Sequence, residues 1–162
     1  MDYQQITKDK LEKIKEELCN NYFKEINPEN IRLGFKVTTE NSRYKVYAYT
    51  RKDTLLPFNP QYYIEIGLPL ETLNDAVVFP LLSSAALAHE FGHIIKRHPG
   101  SYFAGLAIML DIVGKNLKPL KNICSIMLTR LETQADDVAK EKGLGAILKD
   151  GAKIGRRING LS

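Results

Sequence analysis

The chain has 162 residues, 44% of them hydrophobic and 26% charged, proportions that exclude a disordered polyampholyte and a membrane-spanning bundle. That length can bury a core as a single domain over residues 1–162 without disulfide staples. The 23 basic residues exceed the 19 acidic ones by a small margin, and no dense Arg/Lys block with interleaved aromatics occurs, so no nucleic-acid partner is expected.

Residues 1–5 lack the basic-then-apolar pattern of a signal peptide, which makes a cytoplasmic location the expectation. Ile6, Leu11, Ile14, Leu18, Phe23 and Ile26 then recur at helical spacing, predicting an amphipathic helix over 7–25 that Asn27-Pro28 closes. Two strands follow at 31–38 and 43–50. The second alternates Tyr44, Val46 and Ala48 against Lys45, Tyr47 and Tyr49, and Glu40-Asn41-Ser42 reads as the turn of a hairpin. Pro57 and Pro60 make 55–60 a loop, and a third strand is predicted at 62–66, ending at Gly67. A helical turn at 70–73 and capping by Asn74 or Asp75 lead to a helix with Pro80 in its first turn. This helix is apolar nearly all round, so it should be the central, buried one, stopped by His98-Pro99-Gly100.

A short helix over 102–113 is predicted next, then a long one opening at Pro119 and ending before Gly143. Leu120, Ile123, Met127, Leu128, Leu131, Ala135 and Val138 give the long helix one apolar face. The last segment, 144–158, carries Lys149, Lys153, Arg156 and Arg157, a charge pattern that could dock peripherally on an anionic membrane. Gly145, Gly151 and Gly155 make it a weak helix. No uninterrupted apolar run reaches the ~18 residues of a spanning helix. Cys19 and Cys124 form no C-x-x-C unit and read as reduced thiols. The expected class is α+β: a small antiparallel or mixed sheet of about three strands packed on a central helix and a later acidic one.

The central helix contains His89-Glu90-Phe91-Gly92-His93. Histidines four apart point to one side of a helix, where two neutral imidazoles can hold Zn2+, and the intervening glutamate can take a proton from a zinc-activated water. Burying two histidines and a glutamate in an apolar helix is costly unless something satisfies them, and a metal ion does so. A third histidine at position 99, as in H-E-x-x-H-x-x-G-x-x-H, is ruled out because Pro99 stands there. Glu132 and Asp136 lie four apart beside the apolar face of the long helix, so Glu132 could reach the site. His98, at a helix end, reads as a capping residue.

From residue 62 to 143 the chain resembles the gluzincin metallopeptidases, in particular the CAAX prenyl protease and HtpX-like family. The resemblance rests on Ile64-Glu65-Ile66-Gly67-Leu68, on Leu87-Ala88-His89-Glu90-Phe91-Gly92-His93, on His98, and on Glu132-x-x-Ala135-Asp136. It implies a zincin-like fold with one zinc per chain held by His89, His93 and Glu132, Glu90 as general base, and Asp136 steadying a ligand imidazole. It also implies an edge strand at Ile64, Glu65 and Ile66 that pairs with an extended peptide or unfolded protein substrate. Typical members carry transmembrane helices, so this chain is more similar to the small soluble minigluzincins, which are often latent through a terminal segment. Many gluzincins place a His or Tyr beyond the third ligand to polarise the scissile carbonyl. None follows Tyr102 here, and Arg156 and Arg157 are the available cations. The expected function is zinc-dependent endopeptidase. The alternative is a zinc-stabilised scaffold that binds a peptide or protein partner with little turnover. Nothing in the sequence indicates an oligomeric state.

Overall fold

A computed structural model describes residues 3–53, 61–98 and 118–161. The proline-rich loop over 55–60 and the short helix over 102–113 fall outside these residues. The architecture is α+β: helix α1 (Tyr3–Asn21), strands β1 (Ile31–Thr38), β2 (Tyr47–Lys52) and β3 (Tyr62–Pro69), then helices α2 (Val78–Ile95), α3 (Lys118–Glu141) and α4 (Gly145–Ile158).

On α1, Thr7, Leu11, Lys15 and Leu18 are buried, a stripe of i, i+4 and i+3 steps. Lys15 is tolerated inside because its Nζ donates to the carbonyl of Ile31 at 3.2 Å and pairs with Glu12. The helix stops at Asn21, short of the expected residue 25. The N–H groups of Tyr22 and Phe23 both donate to the Leu18 carbonyl, turning Phe23 into the core edge-on to Phe91, ring centroids 5.2 Å apart. A fully buried ring of this kind contributes on the order of 3–5 kcal/mol relative to alanine.

The hairpin expectation is corrected. The strand order is β1-β3-β2, with β3 parallel to β1 and antiparallel to β2. The turn at 39–42 forms, closed by Ser42 N–H to Thr39 O, but β1 and β2 stand apart and β3 fills the gap. Burial accounts for the order: Ile64, Ile66 and Leu68 are fully inaccessible, and the most apolar strand excludes most water when flanked on both sides. One face of the sheet packs on α1 and α2. On the opposite face Tyr47 and Tyr63 both donate to the Glu65 carboxylate, and the guanidinium of Arg51 lies 4.5 Å from the Tyr63 ring centre.

Asp75 caps α2 by accepting from the N–H groups of Val77 and Val78. The helix is apolar and long enough to cross a membrane by length and composition, the one such helix among the described residues, yet it is mostly buried inside the protein. It touches α1, β2, β3, α3 and α4, the central position its sequence predicts. The C-terminal segment, read as a weak helix, is a regular one of 14 residues. Its Gly151 is a packing site, since a Cβ there would collide with the Cβ of Ala85 on α2. On α3 the buried face is Ala135, Val138 and Ala139. Leu128 and Leu131 line a cleft, and Met127, predicted to face the core, is exposed.

Burial pushes the Cys19 thiol up to about 11, with nearby Lys15 the smaller, opposing influence. The folded protein therefore holds this proton to higher pH than the unfolded chain does. That contribution to stability is full below about pH 9 and is lost as pH rises toward 11. Native Cys19 should resist iodoacetamide at pH 8 and react once the chain is unfolded. Peptide mapping by mass spectrometry reads the outcome, and alkylation of the native protein at the rate of a free thiol would contradict it.

Candidate metal centre

His89 and His93 lie on consecutive turns of α2 with rings nearly perpendicular at 87° and centroids 4.7 Å apart. Their Nε2 atoms converge to 3.1 Å. Glu132 on α3 meets both: Oε2 is 2.9 Å from Nε2 of His89, and Oε1 is 3.6 Å from Nε2 of His93. These three residues form a cluster that could hold a metal ion, each offering one ligand atom and all such atoms within 4.8 Å of one another. Zinc bonds of 2.0–2.2 Å in a tetrahedral arrangement require ligand atoms about 3.4 Å apart, so the spacing suits the ion.

The second nitrogens support this fit. Nδ1 of His89 is 2.8 Å from Oδ1 of Asp136, an acceptor, so in a neutral ring Nε2 carries the lone pair. With the proton of His93 likewise on Nδ1, three acceptor atoms point at one place, an arrangement that suits a cation. Without a metal, a shared proton takes that role. Burial disfavours a charged His89, but its hydrogen bonds to the carboxylates of Asp136 and Glu132 outweigh this and raise its pKa to about 10. The same contacts hold Glu132 well below the usual carboxylate range, through the hydrogen bonds of His89 and then His93, and lower Asp136 through that of His89. A metal would displace the shared proton.

Gly92 lets α3 come this close. A Cβ on Gly92 would overlap the carbonyl oxygen of Ala135 and lie 2.7 Å from its Cα. Both groups are backbone and cannot swing aside. Ala135 sits between Glu132 and Asp136, so the glycine of the histidine motif sets the depth at which both acids meet the imidazoles.

Glu90 is buried on α2, and its Oε2 accepts from Thr50 Oγ1 on β2 at 2.7 Å. Burial raises its pKa above the ordinary glutamate value, opposed by the Thr50 hydrogen bond and the neighbouring histidines. The cluster and Glu90 open into a cleft of about 1100 Å³ walled by β2, α2, α3 and α4.

The assignment of Ile64, Glu65 and Ile66 to an edge strand is corrected, because β3 is the central strand and is paired on both sides. The strand beside the cluster is β2, whose outer edge has no partner strand among the described residues. Asp53 N–H donates to Gln61 O on the β3 side, so the odd-numbered backbone groups of β2 face β3. The even-numbered groups, those of Ala48, Thr50 and Lys52, and of Val46 just before the strand, face outward. Asn159, beyond the end of α4, takes the first of these: its Oδ1 accepts from Lys45 and Val46 N–H, and its Nδ2 donates to Val46 O. Ala48 and Thr50 border the cleft beyond that point.

Of the two candidate cations, Arg156 lines the cleft. Among the described residues, the hydrogen-bond partners of the three clustered side chains come from α2, the turn after it and α3. His98 closes α2 with its backbone N–H, while its side chain lies against His93. Thr50 and Asn159 were not singled out from sequence. The only trace of Thr50 is that it continues the even-numbered alternation of Val46 and Ala48.

No protein-family model, curated protein or solved structure matches this chain.

Gly92→Ala should destabilise the fold by about 1–3 kcal/mol through overpacking, although alanine favours an open helix by about 1 kcal/mol. Urea denaturation reads the balance, and a stabilised variant would mean that α2 and α3 do not approach as closely as described.

Proposed function

We propose that the chain is a zinc-dependent endopeptidase of the gluzincin type on a zincin-like scaffold, similar to small soluble members of the CAAX prenyl protease and HtpX-like family. The observation that carries the reading is the convergence of His89, His93 and Glu132 beside a buried Glu90. His89, His93 and Glu132 would hold one zinc, which supplies Lewis acidity toward a peptide carbonyl and lowers the pKa of water. Glu90 is the general base: burial makes its carboxylate more basic than usual, and Thr50 orients it. It accepts the proton of the attacking water and delivers it to the leaving nitrogen. Asp136 holds the Nδ1 proton of His89 and so keeps Nε2 turned to the ion.

An extended peptide or unfolded protein segment would add to the outer edge of β2 through Ala48 and Thr50. Asn159 ends that edge at Val46, so pairing is confined to the stretch beside Glu90. The other reading, a zinc-stabilised scaffold that binds a peptide without turnover, draws on the sequence after Tyr102, which lacks His and Tyr.

Glu90→Gln should keep one zinc per chain and lose peptide hydrolysis by a factor on the order of 10²–10⁴. Equal activity in both proteins would remove Glu90 as the base, and zinc and peptide binding without turnover in the wild type would select the scaffold. Ala48→Pro deletes an N–H that faces away from β3, so the sheet should survive. It should raise KM about tenfold, the cost of one hydrogen bond. An unchanged KM would place the substrate elsewhere.

A further inference from the structure

The Nδ1 atom of His93 lies 3.2 Å from Nδ1 of His98. The hydrogen position between two ring nitrogens follows from what the first ring must do. If Nε2 of His93 is to offer a lone pair to an ion, its proton sits on Nδ1 and needs an acceptor. The reverse arrangement, with His98 donating, would put the proton of a neutral His93 on Nε2 and close that nitrogen to a metal. We propose that His98 is a positioning residue for the metal centre: its Nδ1 accepts the Nδ1 proton of His93 and holds that ring with Nε2 aimed at the ion. The inference rests on the reading of His89 and His93 as ligands.

A local turn brings His98 there. At the end of α2 the chain closes in a turn in which Arg97 N–H donates to Ile94 O and His98 N–H to His93 O, with Arg97 at φ 55°. That left-handed residue, usually glycine, folds the backbone so that position 98 returns onto position 93, ring centroids 5.4 Å apart. With Nδ1 accepting, the proton of a neutral His98 sits on Nε2. The two ligand histidines are thus held differently, His89 by a carboxylate and His93 by a neutral imidazole.

The test compares the full-length wild type with His98→Phe, which keeps a ring against His93 without an acceptor, and His98→Asn, whose Oδ1 falls where Nδ1 lies. Neither alters the backbone hydrogen bonds that close α2. Zinc affinity is measured by competition with a chromophoric chelator, and the Nδ1–H of His93 by imidazole 15N NMR of the zinc-loaded protein. His98→Phe should bind zinc 10–100-fold more weakly and lose the protected Nδ1–H signal, and His98→Asn should recover most of both. His98→Phe binding as tightly as wild type, or both variants weakening equally, would overturn the role of His98 alone. A wild type that binds no zinc would overturn the metal reading together with it.

Discussion

The candidate centre depends on one close approach, the backbone of α3 at Ala135 lying against Gly92 of α2. Side chains on two helices at ordinary packing distance would leave Glu132 and Asp136 short of the imidazoles or force them into extended rotamers. With no Cβ at 92, the acids at 132 and 136 straddle the contact, one reaching Nε2 and the other Nδ1 of His89. The glycine gives up helix propensity and allows a geometry that a larger residue would forbid.

That contact also explains why α2 can be both the apolar centre of the molecule and the carrier of three ionisable groups. Each has a partner supplied by a different element: His89 from α3, His93 from the turn after α2, and Glu90 from β2. None of these partners is adjacent in sequence to the group it satisfies. An unpaired glutamate at Glu90's depth would cost several kcal/mol, and the Thr50 hydroxyl offsets part of that while burial keeps the carboxylate basic.

The order of the sheet bears on the same cleft. Because β3 takes the middle, β2 is the edge strand among the described residues and lies beside α2, with Ala48 and Thr50 bordering the cleft. A simple hairpin of β1 and β2 would have left β3 at an edge, with one flank of its apolar row against solvent. Asn159 ties the end of α4 to the start of β2, so the last helix fixes both a wall of the cleft and the limit of its free edge.

What was legible from sequence follows from local geometry. Residues four apart share a helix face whatever surrounds them, so His89 with His93 and Glu132 with Asp136 could be paired by counting, and an all-round apolar segment had to be central. The strands at 31–38 and 62–66 were legible for the same reason, since alternation is a property of one strand. Strand order, the edge position wrongly given to Ile64, Glu65 and Ile66, the hydroxyl of Thr50 beneath Glu90 and the return of His98 onto His93 were decided only by the tertiary structure. The first three depend on which distant surfaces exclude water together and how closely two backbones can approach, and the last on Arg97 adopting a left-handed conformation that glycine usually fills. Spacing along the chain carries no record of either.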